Sequence, residues 1–286
     1  MSLLSFAEGQ PKATAVIRIP MPITGTFTQY DYFHWLLKSA LDLTAEEYGP
    51  MKVIGGDTPT NQARQMRLLD ANEVDVMWSV STPERENHYI SVDFPLYGDL
   101  FSYRVLVVRK NDNRFKQPLD LQDIKDMVAV QGNDWPDLTI LRDNGFKVEP
   151  SDYPYAFKLL ISGYVDYFPR AAVEVCEELK LRPELTIFPG HLLTYPNTMK
   201  FLLNQGNSEL AKRIETGLLK LFHSGEWTKK LATLPAFTNA IPIIRHNNAN
   251  VHQLVTANAH YYDHPFAKEV KAMAERFPIT GNALCR

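Results

Sequence analysis

The sequence predicts an α/β fold in two lobes that face a cleft. Three observations carry this expectation. Short apolar strand runs alternate with amphipathic helical runs from residue 13 onward. A second such series opens near residue 120. No Gly/Ser-rich linker separates the two series, so the lobes are expected to be joined by strands rather than tethered.

The elements follow in order. Residues 1–13 read as a loose arm. Residues 13–19 (ATAVIRI) form a short strand that Pro20 and Pro22 are expected to stop. Residues 29–47 carry Phe33, Leu36, Leu37, Ala40 and Leu41 at helical spacing, closed by Gly49-Pro50. A strand at 51–54 and a helix at 61–71 lead to 74–80 (VDVMWSV), an apolar run suited to a sheet covered on both faces. A short helix follows Thr82, and 102–108 (SYRVLVV) is another strong strand. The second series then reads helix 121–126, strand 127–131, helix 136–144, strand 146–148, helix 153–162, strand 164–168, helix 169–179 and strand 185–188. Pro136 and Gly145 flank their helix in the favoured order. A third region gives strand 198–203 and an amphipathic helix at 209–224, which Ser208 can cap and Gly225 can end. The last 50 residues are expected to wrap over the first lobe, with a terminal helix at 267–276.

Composition narrows the function classes. The chain has 286 residues, 45% of them hydrophobic and 22% charged, which excludes wholesale disorder. Its net charge of -3 and pI of about 6.2 give no basic bias, so no nucleic-acid partner is expected. No apolar run reaches the roughly 18 residues of a membrane helix. The start carries Glu8, Gln10 and Lys12 rather than an export signal, which is then expected to have been removed. Cys176 and Cys285 can pair or stay free. Cys176 shares a helical face with Val173, so it reads as a small buried apolar filler.

The segment 79–97 carries the most chemistry. A buried strand ends in Ser79, Ser81 and Thr82, followed by Pro83-Glu84-Arg85. Strand ends in open α/β sheets are where ligands bind, and an arginine fork suits a carboxylate. No P-loop, G-x-G-x-x-G or G-x-S-x-G is present, so no cofactor and no enzymatic activity are expected. His260 and His264 stand one helical turn apart, but Tyr261 occupies the place of the metalloprotease glutamate, and surface histidines are the reading preferred.

Thr82-Pro83-Glu84-Arg85 with Asp93-Phe94-Pro95-Leu96-Tyr97 resembles the signature of type II periplasmic solute-binding proteins, the amino-acid branch of ABC-transporter receptors. Asp120-Leu121-Gln122-Asp123-Ile124, Val128-Ala129-Val130-Gln131-Gly132 and Ile161-Ser162-Gly163-Tyr164-Val165-Asp166 resemble its second-lobe motifs, in order and spacing. The likeness covers about residues 13–230. Tyr48-Gly49-Pro50, Gly132-Asn133-Asp134-Trp135-Pro136-Asp137 and Asp166-Tyr167-Phe168-Pro169-Arg170 are similar to a bacterial transporter substrate-binding-like subgroup.

The resemblance implies a two-lobe type II fold with hinge strands and a central cleft. Lobe one would be residues 1–105 plus 195–286, and lobe two residues 106–194. It implies a periplasmic, monomeric receptor that closes on a small anionic or zwitterionic solute, with an ABC permease or a membrane sensor as partner. Arg85 would clamp a carboxylate, helped by Ser79, Ser81 or Thr82. The other reading of Arg85 is a surface pair with Glu84 or Glu86. The family's acidic ammonium ligand has no counterpart after Asp166, where Arg170 stands instead. Arg170 is expected at a helix N-terminus, facing either Glu174 or an anionic solute. The loop 131–136 offers backbone N–H groups to an anion, with Asp134 as helix cap. Trp135 would stack on the ligand or anchor its lobe, Trp78 would be core or cleft wall, and Tyr30 would line the pocket or pack beneath a helix.

Overall fold

The first strand runs through both prolines that were expected to stop it. In the computed structural model, which describes residues 15–23, 27–247, 250–258, 264–278 and 285, β1 spans Ala15–Pro22. Its parallel register slips between Ile19 and Met21, which places Pro20, with no N–H to offer, at the irregularity. The predicted helix at 29–47 is two pieces, α1 (Phe27–Asp42) and α2 (Ala45–Tyr48). Thr44 breaks it by turning its hydroxyl back to the Ala40 carbonyl at 2.9 Å. β2 (Met51–Thr60) pairs with β1, and α3 (Gln62–Asp70) follows with Asn61 as its cap. The apolar run at 74–80 gives β3 (Met77–Val80), buried throughout. The N–H groups of Asp75 and Val76 bond the Arg18 carbonyl and so join this segment to β1. α4 (Pro83–His88) and β4 (Ile90–Ser91) complete the first series.

The second series forms one sheet, from β5 (Tyr103–Arg109), α5 (Leu121–Asp126), β6 (Val128–Gly132), α6 (Pro136–Asp143), β7 (Lys147–Ser151), α7 (Tyr153–Ser162), β8 (Tyr167–Ala171), α8 (Val175–Lys180) and β9 (Leu185–Thr194). The helix expected at 169–179 starts six residues later, because 169–171 belong to β8. That strand lies antiparallel to β5, with Pro169 opposite Leu106. β6 meets β8 at Ala129 and Tyr167, and the Gln131 side-chain amide then bonds the Pro169 carbonyl at 3.4 Å. Strand pairing thus overrides the preference of proline for a helix first turn.

β10 (Met199–Leu203) returns to the first lobe and lies between β3 and β4. α9 (Ser208–His223) begins after Asn207, so Ser208 is inside the helix and not its cap. Ile214, Leu218 and Leu221 of α9 pack against α1 in one core. The approach is close: a Cβ at Gly217 would stand 2.1 Å from the Ala40 carbonyl oxygen. The buried Arg213 meets no carboxylate among the described residues. It bonds the Thr44 hydroxyl and the Leu41 and Gly49 carbonyls at 2.7–3.0 Å, closing the carbonyls left open at the ends of α1 and α2.

The C-terminal segment touches both lobes. α10 (Glu226–Ala232) and α11 (Pro235–His246) precede β11 (Asn250–Gln253), which pairs with β9 and extends the second-lobe sheet to the order β11-β9-β5-β8-β6-β7. Only part of the tail therefore wraps over the first lobe. α12 (Pro265–Arg276) does so, with the Phe266 ring 4.5 Å from those of Phe94 and Phe222. Cys285 forms a disulfide with Cys176 of α8, so Cys176 is buried as expected but is half of a cross-link rather than a filler. His260, Tyr261 and Asp263 lie outside the described residues.

Asp99 sits in a pocket with Lys271 and Arg245, where α11 and α12 meet the chain leading into β5. Burial pushes its carboxyl up to about 6, against bonds from its own backbone and the nearby Lys271. A raised carboxyl means the folded state binds the extra proton. This group's contribution is then most favourable below pH 4 and is lost as the pH rises through 6. Asp99→Asn is expected to stabilise the protein at pH 8, on the order of 1–2 kcal/mol, with no gain at pH 4. Urea unfolding at the two pH values checks this, and an equal shift at both would contradict it.

Candidate functional site

Two chain segments, near residue 100 and near residue 196, cross between the β3–β10 side and the six-stranded sheet. They are bonded to each other: Tyr195 N–H donates to the Ser102 carbonyl at 3.2 Å, and Asn197 N–H to the Ser102 hydroxyl at 3.3 Å. Beside them lies a cavity of about 60 Å³. Trp78 and Met199 wall it from the first lobe, and Arg104, Asp137 and Arg170 from the second. Gln29 of α1, Gln62 of α3 and Glu174 also border it. At roughly 10–15 Å³ per water molecule, that is room for about four to six waters.

The end of β3 builds the Arg85 environment. Thr82 caps α4 by accepting the Arg85 N–H at 3.3 Å. The Arg85 guanidinium turns back to the strand, donating to the Ser79 hydroxyl at 2.7 Å and the Val80 carbonyl at 2.8 Å. Its second nitrogen donates to Gln62 at 2.7 Å. No carboxylate among the described residues forms an ion pair with it, so the surface pairing with Glu84 or Glu86 is not what the structure holds. Burial pulls this cation's pKa down to about 10. Arg85 stands one layer behind the cavity wall, in contact with it through Gln62. Ser81 faces away and donates to Glu86. Tyr30 packs behind Trp78, with ring centres 5.8 Å apart.

The second-lobe wall is dense in paired charge. Arg170 is 3% exposed and bonds both oxygens of Glu178 through Nε, at 2.9 and 3.1 Å. Its Nη2 donates to Glu174 at 2.8 Å and to Glu178 at 2.6 Å. The cation expected at a helix N-terminus is therefore on strand β8, with two carboxylates compensating it. Burial lowers its pKa, but Glu178 and Glu174 more than offset this and raise it. Its guanidinium also stacks 4.7 Å from Trp135. Trp135 in turn covers Gly132, where a Cβ would stand 2.4 Å from the indole.

Three N–H groups of the loop 131–136 expected to face an anion are already engaged within the lobe. Those of Gly132, Asn133 and Trp135 donate to the Gln131 side chain, the Ser151 carbonyl and the Gly132 carbonyl. Asp134 caps a helix of the opposite lobe: its carboxylate accepts the Ala63 N–H of α3 at 3.0 Å. Gln29 makes a second inter-lobe bond, to Glu174 at 3.2 Å.

Sequence reasoning missed Arg104, Asp137 and Glu174 as wall residues. Arg104 donates to Asp137 at 2.8 Å, and Asp137 also accepts from Tyr195 at 2.6 Å and Asn197 at 3.3 Å. Burial pushes the Asp137 carboxyl up, but Arg104 and these bonds outweigh it and hold it below its usual 3.8. For Glu174, burial prevails over Arg170 and the carboxyl is raised. The available signal for Arg104 was a lone charge inside the apolar run SYRVLVV.

No protein-family model and no curated protein sequence matches the chain. Solved structures do. An ancestral arginine-binding protein bound to arginine is 20% identical, with a TM-score of 0.59 over 77% of this chain and 98% of that one. An amino acid ABC transporter substrate-binding protein from Streptococcus pneumoniae, bound to L-arginine, is 12% identical, with a TM-score of 0.60 over 78% and 94%. The GluR0 ligand-binding core from Nostoc punctiforme, in complex with L-glutamate, is 15% identical, with a TM-score of 0.53 over 77% and 98%. The chain thus has the two-lobe α/β fold of the periplasmic binding proteins.

Proposed function

We propose that this chain is a non-enzymatic solute receptor that captures a small anionic or zwitterionic solute by closing its two lobes on each other, with residues 103–105 and β11 counted in the second lobe, where the six-stranded sheet holds them, and not in the first as the boundaries 1–105 and 195–286 would have them. The observation that carries the reading is the cavity walled from both lobes, with buried arginines and tryptophans facing it. The inter-lobe bonds of Ala63 with Asp134 and of Gln29 with Glu174 are those a closed state would make. Arg85 is a desolvated cation without a carboxylate partner, which favours an anionic group on the solute. Glu174 supplies the carboxylate that the sequence lacks after Asp166, three residues beyond Ala171. Arg170 is satisfied by Glu174 and Glu178, so a second anionic group is not required by it. A zwitterion with its carboxylate on the Arg85 side of the cavity, next to Gln62, and its ammonium at Glu174 fits best, and the amino-acid ligands of the structural neighbours agree with that class. The Cys176–Cys285 disulfide supports a periplasmic, oxidising compartment, and no described helix is long and apolar enough to cross a membrane. Service to an ABC permease, as a monomer, is the role this fold suggests.

A thermal-shift panel of amino acids, short peptides and organic acids tests the reading. A solute at 100 times its Kd adds about 2.7 kcal/mol of stability, readily seen in Tm. Arg85→Ala is expected to abolish the shift while leaving the protein folded. Silence across the panel for a folded wild type would overturn the receptor reading, and unchanged affinity in the variant would remove Arg85 from the site.

A further inference from the structure

We infer that the second-lobe wall carries a selective subsite, formed by Nη2 of Arg104 and Nη1 of Arg170, for an uncharged hydrogen-bond acceptor on the tail of a zwitterionic solute. The inference rests on the receptor reading above and specifies which solutes the cleft takes.

The first observation is donor accounting. Arg104 is 2% exposed and uses Nε on Asp137 and Nη1 on the Phe101 and Tyr103 carbonyls. Arg170 uses Nε and Nη2 on Glu178 and Glu174. Among the described residues, Arg104 Nη2 and Arg170 Nη1 donate to no protein acceptor. Neither atom is sealed away from solvent as an unsatisfied group, and both side chains border the cavity. Each guanidinium therefore brings two N–H bonds to the wall of the cleft cavity, where a solute acceptor can meet them. Arg104 and Arg170 lie on neighbouring strands, Arg104 opposite Ala171 and Arg170 opposite Val105, so their side chains leave opposite faces of the sheet and reach the cavity from either side of the strand ends.

The second observation is charge. Arg104 with Asp137 and Arg170 with Glu178 are closed pairs. That leaves Arg85 without a carboxylate and Glu174 as the second carboxylate on Arg170. A carboxylate and an ammonium on the solute answer those two. With the solute's own two groups, four cations and four carboxylates then balance, and any further charge on the solute would be buried without a counter-ion. A carboxylate or ammonium tail is disfavoured by that cost. An aliphatic tail is disfavoured because it would cover four N–H bonds without satisfying them. A carboxamide, carbonyl or hydroxyl oxygen satisfies both conditions.

The test is titration calorimetry on the wild-type protein with four α-amino acids of similar length: glutamine, glutamate, lysine and norleucine. Glutamine is expected to bind on the order of 10-fold or more tighter than the other three, since a site built to bond a polar group rejects analogues that lack it or change its charge. Arg104→Lys keeps a charge on Asp137 and removes the free fork. It is expected to reduce the preference for glutamine over norleucine to within about 3-fold, and Arg170→Lys serves the same purpose if the first variant fails to fold. Binding of glutamate, lysine or norleucine as tightly as glutamine would overturn the subsite and leave the receptor reading intact. Absence of binding by these four and by the wider panel would overturn both.

Discussion

Asp137→Ala is expected to cost about 3–5 kcal/mol of folding stability, because it leaves a buried guanidinium without its counter-ion. Asp137 is 4% exposed and Arg104 2%. The variant removes the Arg104 bond at 2.8 Å and the acceptor of the Tyr195 hydroxyl at 2.6 Å, and strands the Asn197 amide. A surface ion pair of the same length would matter far less, at about 1 kcal/mol or under. The Asp137 carboxyl is held below 3.8 in the folded state, so its contribution is fully present at neutral pH and falls away as the pH drops below about 4. Urea unfolding at pH 7 measures the loss. Asp137→Asn keeps the shape and the hydrogen-bonding oxygen and is expected to fall between wild type and alanine. A loss under about 1 kcal/mol for the alanine variant would mean that water reaches Arg104 and replaces the carboxylate. The position of this network gives it a second consequence. It joins β5, the first turn of α6 and the crossing segment at 195–197, the parts that set how the lobes face each other. Solute affinity should therefore fall along with stability in the variant.

The same network explains what the sequence could and could not disclose. Helices at 121–126 and 153–162 were legible to the residue, because Asp120 makes a capping box with Asp123 and Gly163 ends its helix in a left-handed turn. Local chemistry decides those elements. Arg104 and Asp137 are 33 positions apart, and nothing local marks either as the partner of the other. Pro169 was misread for a related reason. Its preference for a helix start is local, while its place opposite Leu106 of β5 is set by the sheet. Arg170 moved with it from a helix terminus to a buried strand. Glu174 was noticed as a partner for Arg170, yet its role as cavity wall depends on α1 bringing Gln29 against it. Trp78 and Trp135 were legible as candidates because a large aromatic at a strand end or before a helix has few places to go, and both border the cavity.

Loss of the Cys176–Cys285 bond is the other large effect expected. The two residues are 109 positions apart, and a cross-link closing a loop of about 100 residues restricts the unfolded chain by about 4.7 kcal/mol in the chain-entropy account. For a protein of 286 residues that corresponds to a Tm lower by about 8 °C. Cys285→Ser is expected to show that drop, and reductant should then have no further effect on the variant. Wild type in reductant should match the variant. An unchanged Tm in both cases would show that the thiols contribute nothing to stability. The bond has a specific place in the structure. Cys176 lies on α8, between Glu174 and Glu178 in sequence, the two carboxylates that hold Arg170. Cys285 ends a tail whose helix α12 packs on Phe94 and Trp227 of the first lobe. If the cross-link acts through the unfolded chain alone, solute affinity at temperatures where both proteins are folded will be equal in wild type and Cys285→Ser. If it also holds α8 in place, affinity will fall with Tm, because Glu174 will no longer be fixed at the cavity. Measuring both quantities on the one variant separates a staple from a positioning device.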